Sequence, residues 1–426
     1  MAHPQLPAVL SILDRIIAVL PDRFVRRRKL GPWQVLMLHL LSLMDGNRPR
    51  LEVLLQRFAE HFTSHLWYAS APRPSSLSRA RAKLSGETIR ACFADAVAAA
   101  TAAQAKSRSW DPRWRLIGVD GTRVTLRRTA ELSAAFHHPR PRSTTQTHYP
   151  QMLLVTAWDV VARIPVTWTT VACDGNERDG VTHALPMLNQ RDVLVCDRNF
   201  PSARLFELIG TSVKFIMRMH AQGSAWGAVK GFLAAGRTDG EVDQPVPSGG
   251  TTRFRLVAYP SVTGKPIVLA TNLTPEEMSA ERVAYAYQLR WSIETAFREF
   301  KGGYGLERLT GDRCNVIEQE IAALMLFQLA VGEMTAVADA QIQQEDRESG
   351  DTGEIRSASR TLAGEVCRQI FLNFAAGKTQ TEILGSYERG LDSLLRSRFR
   401  KRPGRHFPRT SHSTYSKWGN RGRAEG

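Results

Sequence analysis

The sequence predicts an α/β protein. Its centre is a mixed sheet with flanking helices, interrupted by a β-rich insertion. An all-helical segment precedes it and a helical, basic segment follows. Three observations carry this. Apolar residues in the first 110 positions recur at helical spacing. From about residue 115, short apolar runs alternate with helical stretches. A Gly/Pro-rich stretch at 236–250 then breaks that alternation. The chain has 426 residues, 43% of them hydrophobic, which suits two or three packed domains and excludes a mostly disordered chain.

In the first segment, 1–110, Val9, Ile12, Leu13, Ile16, Ile17 and Leu20 fit a 3.6-residue period. Residues 30–44 form an apolar helix with Pro32 in its first turn, and 51–65 form another. After a turn at Ala71-Pro72-Arg73-Pro74, a short helix over 75–84 carries Arg79, Arg81 and Lys83. It is either a helix that enters a DNA groove or a solvated helix of a small bundle. The helical pattern continues over 85–101.

Strand signals begin at Leu116-Ile117-Gly118-Val119-Asp120 and resume at Val124-Thr125-Leu126. Further strands are expected at 151–158 and 164–171, giving a meander, and at 193–197. A helix opened by Pro201 and a strand at 213–219 complete the stretch 111–219. Residues 220–272 read as a β-rich insertion. Thr274-Pro275-Glu276-Glu277 then signals a helix start, with a helix expected to run to about Phe300 and end at Gly302-Gly303. A further apolar helix spans 316–338 and closes the segment 273–340. In 341–426, the polar stretch 341–354 reads as an exposed loop, 362–375 and 381–395 as helices, and the end as an extended tail.

Lysine and arginine total 57 against 41 acids, a net charge of +16. The excess lies at the flanks: +9 over 1–110, +6 over 341–426 and +1 between them. Arg26-Arg27-Arg28-Lys29 and a tail with ten basic residues against Glu425 are the densest runs. Two basic flanks on such a chain point to a polyanion, nucleic acid above all. The five cysteines are scattered with no CxxC pair, so neither a disulfide framework nor a cysteine zinc site is expected. Asp14 and Arg15 interrupt any signal-peptide pattern, and the apolar stretch 30–44 is shorter than the roughly 20 residues of a membrane span. A reduced, cytoplasmic protein with no membrane partner is the expectation.

Asp120 and Asp197 each follow a short apolar strand. Ligands of open α/β sheets gather at strand ends, so these carboxylates can converge. Convergent carboxylates without sulfur or imidazole suit Mg²⁺ or Mn²⁺; a turn or helix-cap role is the alternative for either one alone. The expected 275–300 helix adds Glu294. At about 100° per residue, Tyr287, Arg290, Glu294 and Lys301 fall within an arc of about 60°. That face is either a salt-bridged surface, through the Arg290–Glu294 pair, or a site.

The spacing Tyr287, Arg290, Glu294, Lys301 resembles the Y-R-E-K signature of bacterial insertion-sequence transposases of the DDE class, in particular the family-four type. Asp120 in Asp-Gly-Thr and Asp197 in Asp-Arg-Asn-Phe resemble that family's two catalytic aspartates. The resemblance covers roughly 110–310. It implies a ribonuclease H-like core holding two divalent ions on Asp120, Asp197 and Glu294, with metal-dependent cleavage and strand transfer at terminal inverted repeats by a dimer on double-stranded DNA. Tyr287, Arg290, Arg298 and Lys301 would then grip DNA phosphates near the cut. Trp226, in the insertion, would stack on a flipped base; a packed tryptophan is the alternative. Glu177-Arg178 resembles a family loop without a defined role. A nuclease without joining activity, or a non-catalytic regulator derived from a transposase, remains the competing expectation.

Overall fold

A computed structural model describes residues 30–44, 51–61, 71–104, 110–139, 148–210, 212–246, 249–261, 264–350 and 356–400. The helix expected at 8–20, the run Arg26–Lys29 and the basic tail beyond 400 lie outside the described residues.

The centre is one eight-stranded mixed sheet. Its strands are β1 (Arg115–Thr125), β2 (Gln151–Asp159), β3 (Ile164–Ala172), β4 (Asp192–Cys196), β5 (Lys214–Met219), β6 (Asp239–Pro245), β7 (Thr251–Pro260) and β8 (Pro266–Thr271). They lie in the order β3-β2-β1-β4-β5-β8-β7-β6. The meander β1-β2-β3 is antiparallel, β1, β4 and β5 run parallel, and β5, β8, β7 and β6 pair antiparallel. The β-rich segment 220–272 therefore extends the same sheet at one edge through the β5–β8 pairing.

Both faces of the sheet are covered, which is why its central strands read as almost continuous apolar runs. Alternate residues serve opposite layers. Leu116, Leu154, Trp158, Val193 and Val195 face one core; Ile117, Val119, Val155, Leu194 and Cys196 face the other. The second layer contains the short helices α6 (Arg178–Ala184), α7 (Ala203–Ile209) and α8 (Gly227–Ala234). Ser202 caps α7 by accepting from the Leu205 amide at 3.1 Å.

The first layer is built around a 35-residue helix, α11 (Cys314–Glu348). Among the described residues it is the one helix long and apolar enough to cross a membrane, and its apolar stretch is mostly buried inside the protein. The helices α1 (Pro32–Met44), α2 (Leu51–His61), α3 (Pro74–Lys83) and α4 (Gly86–Gln104) share its core. Polar groups fix their docking. Gln319 donates to the carbonyls of Arg81 and Leu84, at 2.8 and 2.5 Å, while its amide oxygen meets His39 Nε2 at 3.0 Å. Arg90 reaches from α4 to Glu318 at 2.8 Å and stacks over Trp168. A short helix α5 (Ala130–Phe136) follows β1, capped by Thr129.

Two expectations are corrected here. Residues 275–300 do not form one helix. Thr274 and Glu277 do make the expected reciprocal pair, at 2.9 and 3.3 Å, but around a single turn. Helix α9 (Ala280–Leu289) starts afresh with Ser279 as its cap, and α10 (Trp291–Gly302) begins after a break at Arg290. The reason for the late start is Arg255, buried and reaching from β7, which donates to the carbonyls of Leu273 and Met278. The Met278 carbonyl would otherwise accept within a longer helix. The stretch 341–354 is also not a loop throughout, because α11 continues to Glu348. Gln344 bonds Glu348 one turn on, and Asp346 and Glu345 are held by Arg356 and Arg398. Arg356 lies in, and Arg398 just before, the short pairing of β9 (Arg356–Ser357) with β10 (Phe399–Arg400). The helices α12 (Arg360–Ala375) and α13 (Gln380–Arg396) pack onto the same core, α13 opening with a capping box at Thr379 and Glu382.

At the start of the parallel β1–β4 pair, Arg115 and Asp192 form a buried bidentate ion pair at 2.6 and 2.8 Å. Arg115→Ala leaves Asp192 buried without its counter-charge. It is expected to lower the unfolding free energy by about 3–5 kcal/mol in a denaturant titration.

Candidate catalytic site

The last parallel pair of β1 and β4 is Gly118 opposite Val195. Two residues further along each strand stand Asp120 and Asp197, on the same face by the two-residue strand period. Asp197 follows the end of β4, as expected. Asp120 does not close its strand: β1 continues to Thr125 because it keeps pairing with β2, Asp120 lying opposite Thr156. The Asp120 carboxylate is shaped locally, Oδ1 accepting from the Gly121 amide at 2.9 Å. Asp197 Oδ1 accepts from the Asn199 amide at 2.8 Å.

Helix α10 brings in the third carboxylate. It lies over β1, with Ile293 at contact distance above Gly118, whose side-chain space is taken by Val160, and Ser292 donating to the Val160 carbonyl at 3.1 Å. Glu294 follows one residue after Ile293. Arg290, at the α9–α10 break, joins the two elements. Its Nη1 donates to Asp120 Oδ2 at 3.3 Å and its Nη2 to Glu294 Oε1 at 2.5 Å. The break carries i→i+3 bonds, Arg290 amide to Tyr287 carbonyl and Ile293 amide to Arg290 carbonyl. Such a turn superposes side chains three apart, and the Arg290 guanidinium carbon lies 5.9 Å from the Tyr287 ring centre.

A fourth carboxylate completes the cluster. Glu177, just before α6, lies against Gly121, where an added Cβ would come within 2.8 Å of its Oε1. Arg178 holds this loop to the one after Asp197 by donating to the carbonyls of Phe200 and Asn199, at 2.8 and 2.6 Å. Burial pushes Glu177 up to about 7, and the negative charges of Asp120 and Asp197 push the same way. Burial likewise pushes Asp120 up to about 6, against the pull of Arg290 and the Gly121 amide, with Asp197 and Glu294 adding to the rise. Sequence reasoning left Glu177 without a role. The signal for it was the Asp174-Gly175 turn, which returns the chain to the carboxylate end of the sheet.

Among the described residues, no three His, Cys, Asp or Glu side chains stand close enough together to hold a metal ion. Arg290 accounts for this at Asp120 and Glu294, since its guanidinium lies between them. The donor set still fits a hard divalent ion: all its ligating groups are carboxylates, and a cation already bridges two of them.

The remaining expected residues are dispersed. Lys301, at the end of α10, pairs with Glu307 at 3.1 Å and donates to the Arg123 carbonyl of β1 at 3.4 Å. Arg298 is exposed on α10. Burial raises Tyr287, while Arg290 and Arg218 lower it. Trp226 precedes α8 and packs edge-on against Phe206 and Phe254, at 5.4 and 6.3 Å between ring centres. Arg79 and Lys83 are exposed on α3. Arg81 is a correction: it is buried under α11, because the helix face it shares with Leu77 and Leu84 is the docked one.

A family model described as the transposase DDE domain matches residues 114–328, just over half of the chain. The chain belongs to this transposase family. No curated protein sequence matches it. Among solved structures, the cryo-EM structure of a piggyBac transposase synaptic complex with hairpin DNA aligns with a TM-score of 0.47 at 10% identity, over 91% of this chain and 86% of that one.

The raised Glu177 fixes the sign of one pH effect. A carboxyl whose folded value lies above its ordinary 4.5 costs stability as pH rises from about 4.5 through about 7. Glu177→Gln removes that cost. Its unfolding free energy is expected to match wild type at pH 4 and to exceed it at pH 8, by on the order of 1 kcal/mol after allowance for solvent screening. Equal stabilities at pH 8 would show that burial and the neighbouring carboxylates do not raise Glu177.

Proposed function

We propose that this transposase binds the terminal inverted repeats of its own insertion sequence, of the family-four type, and cuts and joins DNA there by phosphoryl transfer. The observation that carries the reading is that Asp120 and Asp197 extend adjacent parallel strands on one face, and Arg290 bridges Asp120 to Glu294, within a DDE transposase domain. A ribonuclease H-like core is supported by the meander β1-β2-β3 followed by parallel β4 and β5.

In this reading Asp120, Asp197 and Glu294 hold Mg²⁺ or Mn²⁺, with two ions as the working number. Divalent ions there lower the pKa of attacking water and stabilise charge on the leaving oxygen. The chain's own groups do the rest. Arg290 offers a planar fork matched to a phosphate, and Tyr287 backs it. Arg298 and Lys301 extend that positive edge along α10. Fixing the scissile phosphate in line is their contribution, because phosphoryl transfer leaves the protein little covalent work. Water oxygen bonds to phosphorus as the bond to the 3′-oxygen breaks, leaving a 3′-hydroxyl and a 5′-phosphate. The freed 3′-hydroxyl then attacks a target phosphate, displacing another 3′-oxygen.

The exposed Arg79 and Lys83, together with the charge of +16, support double-stranded DNA as the partner. Joining two element ends calls for a dimer on DNA. The cytoplasm, on nucleoid DNA, is the proposed place of action.

The test is a cleavage and joining assay on a fragment bearing the element's ends. Wild type is expected to nick in Mg²⁺ and not in EDTA. Asp120→Ala and Glu294→Gln are expected to lose cleavage by at least a thousandfold and keep end binding within a few fold. Intact binding without any metal-dependent nicking by wild type would favour the regulator, and nicking without strand transfer would favour the nuclease. End affinity is also expected to fall steeply and linearly in log–log form with salt; a flat response would remove the phosphate-contact argument.

A further inference from the structure

Arg290 stands in an unusual place for a residue meant only to grip a substrate. Its side chain is 11% exposed and donates to two of the catalytic carboxylates at once. Both carboxylates belong to the set that must accept a divalent ion in the reading above, on which this inference rests. A guanidinium and a divalent ion satisfy the same need, neutralising carboxylates packed close together in a low-dielectric pocket. They cannot both lie between Asp120 and Glu294.

We propose that Arg290 is a resident counter-ion that holds Asp120 and Glu294 together in the metal-free protein and is exchanged for the divalent ion when DNA enters. The fold supplies the means. Arg290 sits at the α9–α10 break, and its second neighbour is the Tyr287 ring. That ring gives the guanidinium a seat away from the carboxylates. A DNA phosphate arriving on the Tyr287 side offers the fork two anionic oxygens in exchange for the two carboxylates it gives up. Metal and DNA then bind with positive coupling, each removing part of the cost of admitting the other. Before DNA arrives, Arg290 competes with the ion, so the hydrolytic site is assembled only on its substrate.

The inference is tested by Mn²⁺ binding to the full-length protein, followed by calorimetry and by thermal melting, with no turnover required. Wild type without DNA is expected to bind Mn²⁺ weakly, and to bind about tenfold tighter or more with a DNA fragment bearing uncleavable ends. Arg290→Gln without DNA is expected to melt lower than wild type in EDTA. It should also bind Mn²⁺ at least tenfold tighter than wild type and gain more in melting temperature from Mn²⁺. A residue that merely grips DNA, or merely supports the fold, would not raise metal affinity when removed. Arg290→Lys, which keeps the charge and loses the fork, is the second variant should the glutamine protein not fold; it is expected to bind Mn²⁺ tighter than wild type by a smaller factor. If wild type binds Mn²⁺, Asp120→Ala does not, and the Arg290 variant that folds binds no tighter than wild type, the exchange is overturned and the catalytic reading stands. If neither wild type nor that variant binds Mn²⁺, with DNA or without, the carboxylates are not a metal site and the catalytic reading falls with the exchange.

Discussion

The register of β1 against β4 is the constraint on which the site depends. Arg115 is paired with Asp192 at one end of this parallel ladder, and the register advances residue for residue to Gly118 and Val195. Asp120 and Asp197 lie five residues beyond the two members of the ion pair on their respective strands. Because side chains alternate faces with every residue, a slip of one position would carry one aspartate to the opposite core. The buried bidentate pair makes such a slip costly, since it would strand a guanidinium in an apolar layer. A salt bridge about 16 Å from the carboxylates, at roughly 3.3 Å per strand residue, thus helps decide that they face each other.

Packing several carboxylates in one pocket is unfavourable by itself, and the surrounding structure shows how the cost is met. Backbone amides of Gly121 and Asn199 stabilise the two aspartates. Arg290 neutralises one aspartate and one glutamate. Asp120 and Glu177 are still elevated, by burial first and by the neighbouring carboxylates after it. Arg290, the cation within the site, is of the kind that also meets phosphate. In the proposed reaction an acidic centre and basic groups around it are complementary demands, since anionic DNA would have to approach carboxylates.

Much of this was legible in the sequence, because local rules and global fold agree over most of it. The strands of the meander, β4 and β5, and the helices α1, α12 and α13 follow from periodicity and turn residues within a few positions. Tyr287, Arg290 and Glu294 were found together because a helical wheel needs only spacing, and the break at Arg290 shifts that wheel without scattering it. What was not legible comes from contacts distant in sequence. Arg255 ends the turn at Met278 from across the sheet, and no local signal in 274–280 foretells it. Arg81 looks like its exposed neighbours Arg79 and Lys83 until α11 covers its face. Glu177 has no motif of its own and becomes part of the site only where Gly121 leaves room for it. The polar end of α11 reads as a loop by composition, yet its residues are good helix formers held by i,i+4 bonds and by arginines from later in the chain.

The three candidate carboxylates are not held alike. Asp120 lies in, and Asp197 directly follows, a strand buried on both faces, so their backbone positions are set by the packed centre of the sheet. Glu294 rides on a helix docked on that sheet by the Ser292 bond to the Val160 carbonyl, by buried Phe300 packed edge-on against Trp158, and by Glu299 paired with the buried Arg360. Beneath it Gly118 has no room for a side chain, since a Cβ there would come within 2.8 Å of Val160. The helix carrying Glu294 also begins at a break, where i→i+3 bonds replace the regular ladder. Two of the carboxylates thus come from the central strands and the third from a helix laid over them, and Arg290, at the α9–α10 junction, ties the two layers together through Asp120 and Glu294.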